Sequence, residues 1–169
     1  VVFVGVSSLI NKGEIMNFQI KGFKSWATDD GGGYQFNLYL DGKKFAYVHN
    51  DGNGGCIDMK FYDLKFMGGQ YGWDESPSAI VWGKYVKSLG QWKSEFGAIN
   101  GTEFFDHDTD TAIGILVEEY EMSKHRKKGI LFKLLTDSEN AFRTIKTHDM
   151  DLATKQLNKM FGEGKYLFI

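Results

Sequence analysis

Apolar and polar residues alternate along the first third of the chain, with the two-residue period of half-buried β-strands. Asp41 and Gly42 stand between two of the alternating runs and are typical of a tight hairpin turn, and the glycine-rich residues 50–55 indicate a second turn. We therefore expect residues 16–63 to form an antiparallel meander with one face buried against another layer. The alternating runs are residues 18–21, 34–40, 44–48 and 56–62.

In the middle of the chain the spacing of apolar residues changes to three and four, the period of an amphipathic helix. Ser76 followed by Pro77 provides the residue types of an N-cap and a first helical position, and the apolar spacing continues to Phe96. A second helix, capped by Asp108 or Thr109, is predicted to end in a basic turn before a glycine. We expect the first helix to cover the sheet.

The end of the chain returns to strand-like patterns. Residues 130–146 predict a second hairpin, residues 151–161 a short helix, and the apolar tail 166–169 is expected to dock because exposed apolar residues at a terminus are adhesive. The order of strands, helices and strands indicates the α+β class. We predict a single domain over residues 16–169, in which an antiparallel sheet, made of the N-terminal meander and the C-terminal hairpin, packs against two or three helices.

The first fifteen residues have two interpretations. Lys12 to Met16 can be back-translated as AAA GGA GAA ATT ATG, a purine-rich ribosome-binding site followed by a start codon. We therefore expect Met16 to be the natural initiator and residues 1–15 to be a non-native leader. The alternative is an extra β-strand, because residues 1–6 have strand composition.

Composition restricts the class of partner. The chain has 169 residues, of which 42% are hydrophobic, and this is enough for one compact domain with a core. Its formal net charge is −2, and 18 of its 20 basic residues are lysines. Arginine is the usual residue for reading guanine and for holding phosphates, so the composition disfavours nucleic acid as a partner.

Cys56 is the only cysteine, which excludes an intrachain disulfide and a zinc site built from several thiolates. A single thiol fits a reducing cytoplasm, where we expect the protein to act. The longest apolar stretch, residues 1–10, is about half as long as a membrane span requires, so we expect no membrane association. No helix N-terminus is predicted beside Cys56 to activate it, and no G-x-S-x-G elbow is present, so we assign no catalytic residue.

The glycine-rich loops of the β half carry the residues that we assign to ligand or partner binding. Of the 21 glycines, ten lie between Gly31 and Gly72. Such turns can present backbone N–H groups to an anion, and loop tryptophans supply binding energy at protein interfaces. We expect the separate run 29–33 to be a flexible loop between strands. The assigned residues are Trp26, Asn50, Asp51, Gly52, Asn53, Gly54, Gly55, Tyr71 and Trp73.

Two charged runs offer alternatives. Asp106, His107, Asp108 and Asp110 could converge on a hard cation, which would make the chain a metal-dependent hydrolase or nuclease. The run lacks the glycine and the glutamate of an EF-hand, so helix capping is the favoured interpretation, and we expect no resident metal or cofactor. The basic residues that could contact RNA or single-stranded DNA weakly are Lys124, Arg126, Lys127 and Lys128, although cations are also favoured at a helix C-terminus.

The order of turns and strands resembles a family of small uncharacterised phage and prophage proteins. The resemblance would cover most of residues 16–169 and implies an origin in a mobile element and a role in the host cytoplasm, with no catalytic residues to carry over. We therefore expect a non-enzymatic accessory protein that binds a host protein or a small anionic ligand and counters a host defence. The segments that carry the resemblance are residues 21–24, 39–44, 50–55 and 132–146.

Overall fold

The computed structural model describes residues 16–63, 76–93, 102, 104–138 and 141–169. They form helices and antiparallel sheets that follow the predicted order except for one additional short hairpin between the first two helices, so the α+β class is confirmed. The expected leader, residues 1–15, and the loop residues Tyr71 and Trp73 lie outside the described residues. Among the residues that are described, no helix has the length and apolar character needed to cross a bilayer.

A four-stranded antiparallel meander forms first, with each strand paired to the next along the chain. Asp41 (φ 49°) and Gly42 (φ 79°) make the predicted turn, because both central residues of such a turn have positive φ. Two bulges shift the register, one between Lys21 and Lys24 and one after Leu38. The strands are β1 (Phe18–Thr28), β2 (Gly31–Leu40), β3 (Lys43–Asn50) and β4 (Asp58–Phe61).

One face of the meander is buried under two helices, α1 (Pro77–Ser88) and α2 (Thr109–Arg126). Trp82 and Tyr85 of α1 pack edge-on against Phe18 of β1, and α2 adds buried apolar side chains to the same cluster. Burying these rings stabilises the unit, because each aromatic side chain removes a large apolar area from water. The fully buried residues from the sheet include Phe36, Leu38, Val48 and Met59.

The start of α1 is confirmed and its predicted end is wrong. Ser76 is the N-cap, and its hydroxyl accepts a hydrogen bond from the Ala79 N–H at 3.0 Å. The helix ends at Ser88, well before Phe96, because Gly90 takes a positive φ of 74° that cannot continue a helix. The chain then forms a short hairpin of β5 (Gln91–Lys93) and β6 (Phe104–Asp106).

A second set of elements follows α2. Strand β7 (Ile130–Leu134) pairs with β8 (Arg143–Ile145), which confirms the second hairpin, and with β9 (Tyr166–Phe168), which shows that the apolar tail docks as predicted. Helix α3 (Met150–Phe161) buries Ala153 and Leu157 against this sheet. The meander and the C-terminal hairpin therefore belong to separate sheets.

The chain divides into two compact units, with the boundary between Val117 and Glu118 inside α2. The meander, α1 and the β5–β6 hairpin belong to the first unit, and strands β7 to β9 with α3 belong to the second. Each unit has its own cluster of buried apolar residues. The expected single domain over residues 16–169 stays a prediction.

Candidate binding surface

The glycine-rich turn after β3 is an ordered corner built by its own side chains. The Asn50 side-chain oxygen accepts a hydrogen bond from the Gly52 N–H at 2.8 Å, and that of Asp51 accepts one from the Asn53 N–H at 2.9 Å. Thr28 of β1 donates its hydroxyl to the Gly52 carbonyl at 2.6 Å. Two of the N–H groups that could have held an anion are therefore already occupied, which weakens the case for an anion cradle in this turn.

Gly52 brings the turn against the neighbouring hairpin. It is buried with φ 81°, and a Cβ on it would lie 2.5 Å from the Gly33 nitrogen. Only a residue without a side chain permits this approach. The turn is thus packed onto the start of β2, whereas Gly54 and Gly55 remain exposed at its tip.

Trp26 lies across the same corner. A Cβ at Gly33, its cross-strand partner, would lie 2.2 Å from the indole Nε1, so the ring occupies the space of the missing side chain. The indole N–H donates to the Asp51 carbonyl at 3.4 Å, and 37% of the residue remains exposed. The expectation that residues 29–33 form a flexible loop is wrong for Gly31 to Gly33, which belong to strand β2, whereas Asp29 and Asp30 do form a turn between the strands. Gly33 supplies the surface on which the tryptophan packs.

The sheet side turned away from the helices, here called the outer face, continues from this corner. Ring centroids of Trp26 and His49 are 5.8 Å apart, and those of His49 and Tyr47 are 6.5 Å apart with nearly parallel planes. The Tyr47 hydroxyl donates to the side chain of Gln35 at 3.1 Å. By strand register and these contacts, the outer face consists of Gln19, Lys21, Lys24, Trp26, Gln35, Asn37, Tyr39, Lys44, Tyr47, His49, Asp58, Lys60 and Tyr62.

Lysine side chains lie beside the aromatic rings of the outer face. The Lys21 ammonium lies 4.3 Å from the ring centroid of Tyr39, and the Lys44 ammonium lies 5.4 Å from that of Tyr62. Its single carboxylate, Asp58, lies 3.1 Å from the Lys60 ammonium. The outer face is therefore both aromatic and positively charged.

The sequence prediction located one end of this surface and missed the rest. Trp26 and residues 50–55 do come together, but Tyr47 and His49 were not singled out. The signal for Tyr47 was present, since it alternates with the apolar residues of the predicted strand 44–48, and His49 continues the same alternation just beyond that predicted strand. Trp26 and Lys24 were harder to place because the bulge after Lys21 reverses the alternation of β1.

The acidic run at the start of α2 does not converge on a common point. The Asp106 side chain accepts a hydrogen bond from Gln91 at 2.9 Å, and that of Asp110 accepts one from the Ile57 N–H at 3.2 Å. Asp108 caps the helix, as its favoured interpretation predicts, and hydrogen bonds from Thr111 lower the pKa of its carboxyl. Within the described part of the chain, no group of three or more metal-binding side chains is arranged around one point.

His107 differs from these carboxylates because its Nδ1 is buried without a hydrogen-bond partner. It lines a cleft of about 830 Å³ in which Phe61, Trp82 and Val86 supply apolar surface. The hydroxyl in the described lining, that of Thr109, accepts a hydrogen bond from the Trp82 indole N–H at 3.1 Å, and the Cys56 thiol is exposed elsewhere.

Two cations at the basic end of α2 are paired with acids of the same helix. Lys124 contacts Glu121 at 2.8 Å, and the hydrogen bond raises the pKa of the lysine. Arg126 contacts Glu119 at 2.5 Å. Two of the four cations proposed to contact nucleic acid are thus paired, which weakens that alternative.

No family model matches the chain, and no curated protein or solved structure is significantly similar to it. Its function therefore has to be inferred from its own surface.

Proposed function

We propose that the chain is a non-enzymatic binding protein and that the outer face of the meander contacts its partner. The observation that carries this proposal is a row of rings on one side of a hydrogen-bonded sheet, in which Trp26 is exposed and His49 and Tyr47 are partly exposed. Large amphipathic rings held by a rigid scaffold supply binding energy at little cost in conformational entropy. A mobile surface would lack this advantage.

The charge of the outer face supports an anionic partner. Strands β1 to β4 carry five lysines and one acidic residue, although the whole chain has a net charge of −2. The turns between and after these strands add five aspartates, so the meander as a whole is not positive. The outer face itself carries four lysines and Asp58, and this excess of positive side chains will attract an anionic surface. We assign the protein to the accessory set of a phage or mobile element, where the partner is a host macromolecule or a small anionic ligand, and countering a host defence is the proposed role.

Affinity capture tests the proposal if surface variants are compared. The tagged wild type, a Lys24→Glu/Tyr47→Ala variant and a Lys84→Glu control are incubated with bacterial lysate, and retained proteins, nucleic acids and small molecules are identified by mass spectrometry and sequencing. Lys84 is exposed on α1, so its substitution tests a charge change away from the outer face. We expect a partner that the wild type and the control retain and the outer-face variant loses.

Equal retention by all three proteins, after circular dichroism has shown that each is folded, would contradict the proposal. Retention of a partner that depends on Lys84 instead would move the binding site to the helical side of the first unit.

A further inference from the structure

The rings of the outer face are arranged as a platform on which other flat groups can stack. Trp26 is held in place from below by Gly33 and at its edge by the hydrogen bond to the Asp51 carbonyl. His49 and Tyr47 extend the row along β3. All three rings stand on paired strands, and Trp26 and Tyr47 each make a side-chain hydrogen bond, so little ordering would be needed when a ligand binds.

The lysines of the outer face lie beside its aromatic rings, which is the arrangement that suits a linear polyanion. Lys24 and Lys21 lie on β1 on either side of its bulge, and Lys44 lies on β3 beside Tyr62. A compact anion would need several cations that converge on one point, whereas these lysines are spread over two strands. Spaced cations beside a row of rings match a chain that carries one charge and one flat group per repeating unit.

We propose that the anionic partner is a single-stranded polynucleotide whose bases stack on Trp26 and Tyr47 while its phosphates contact Lys21, Lys24 and Lys44. This inference rests on the proposed function and names its partner class. A duplex fits the surface less well, because its bases are stacked on one another and their faces are not accessible to the rings. The scarcity of arginine disfavours base-specific readout of nucleic acid, but stacking and lysine–phosphate contacts need no base-specific hydrogen bonds.

Binding is measured by fluorescence anisotropy with labelled oligothymidine and oligouridine, which distinguish DNA from RNA, and with a DNA duplex of equal length. We expect tighter binding to the single strands than to the duplex. Three phosphate contacts predict a slope of about −2 for log K against log salt concentration, since each contributes about −0.7 on a single strand. A duplex bound as tightly as the single strands would overturn the inference.

Two substitutions of Trp26 test whether a base stacks on its ring. Trp26→Ala should weaken binding about 5- to 150-fold, the loss typical of one stacked base. Trp26→Phe keeps a ring and should keep most of the affinity, while it removes the tryptophan whose fluorescence the stacked base quenches. An equal loss of affinity in both variants, or quenching that persists in Trp26→Phe, would contradict stacking on this ring.

A charge-matched pair tests the location. Lys24→Glu should weaken binding and reduce the salt slope, whereas Lys84→Glu changes the net charge equally and should have a smaller effect. If the two variants behave alike, binding is not on the outer face. One outcome separates this inference from the proposed function: if no oligonucleotide binds but capture of a protein or small molecule still depends on Lys24 and Tyr47, this inference fails and the proposed function stands. If neither oligonucleotide binding nor capture from lysate depends on these residues, both fail.

Discussion

Two glycines of the corner show how residue chemistry determines a surface. Gly33 leaves the space that the Trp26 indole fills, and Gly52 lets its turn approach the backbone of β2. Neither role follows from a glycine-rich composition alone, because Gly54, a few residues away in the same turn, has open space where a Cβ would lie. Glycine is required at Gly52 for packing and for conformation, but at Gly54 for conformation only.

This difference predicts unequal costs for the same substitution. Gly54→Ala should destabilise the protein by about 1–2 kcal/mol, because alanine disfavours its φ of 76°. Gly52→Ala has a similar conformational cost at φ 81° and should lose about 1–3 kcal/mol more from the steric conflict with the Gly33 backbone. The free energy of unfolding in urea measures both.

Gly54→Ala is the matched control, because the same residue type changes in the same turn. Equal destabilisation by the two substitutions would show that the turn relaxes away from β2 at no cost. Weaker partner binding by Gly52→Ala than by Gly54→Ala would further indicate that the corner supports the outer face.

Among the helices and strands, short sequence motifs predicted the start of helix α1 and the hairpin turn better than they predicted where the helix ends. The turn at Asp41 and Gly42 and the N-cap at Ser76 are set by residues within a few positions, and both are confirmed. The end of α1 was misplaced because the apolar spacing continued past Gly90, where a backbone with positive φ stops the helix. The spacing of apolar residues indicates which side chains could face a core, but it does not indicate where the helix ends and the backbone changes direction.

The candidate site required information that no single strand contains. Residues 50–55 could be selected from composition, but Tyr47 and His49 join Trp26 only through the register of three strands. The bulges at Lys21 and Leu38 decide which side chains share a face, and each arises from pairing between strands. Sequence reasoning could therefore identify the loop but not the surface that it borders.

The connection between β7 and β8 has a carboxylate that stabilises it in a pH-dependent way. Arg143 donates two hydrogen bonds to Asp137, at 2.7 and 3.0 Å, and the Leu134 N–H donates a third at 2.9 Å. The Arg143 guanidinium, followed by the Leu134 N–H, lowers the pKa of Asp137 to about 2. The ionised carboxylate is thus favoured in the folded state relative to the unfolded chain, where an aspartate titrates near 4.

A folded-state pKa below the unfolded value means that the stabilisation is present above about pH 4 and is lost as the pH falls toward 2. We therefore expect Asp137→Asn to be less stable than the wild type at neutral pH, with the difference shrinking across that window. Thermal unfolding at a series of pH values measures it, and NMR titration of the Asp137 carboxyl carbon gives its pKa directly.

Arg143→Gln is the control, because it removes the largest cause of the shift and keeps the Leu134 contact. Its Asp137 pKa should rise toward the ordinary value. A stability difference between wild type and Asp137→Asn that is constant from pH 5 to pH 2 would contradict the assignment.

For the whole molecule, the distribution of buried side chains bears on how cooperatively the chain unfolds. All residues of the first apolar cluster precede Glu118, and all residues of the second follow it. Residues that pack in one cluster lose their contacts together, so each cluster is a candidate cooperative unit. The expected single domain would instead lose both in one transition.

Leu157→Ala distinguishes these two cases. Leu157 is fully buried in the second cluster, so truncating it should cost about 2–5 kcal/mol through the lost contacts and the cavity left behind. Leu152→Ala, on the same helix but 44% exposed, should cost much less and controls for the change in helix propensity. We expect hydrogen exchange to accelerate in β7, β8, β9 and α3 of Leu157→Ala, while the slowest amides of β2 and β3 keep their protection. An equal loss of protection in β2 and β3 would show instead that the two clusters unfold as one domain.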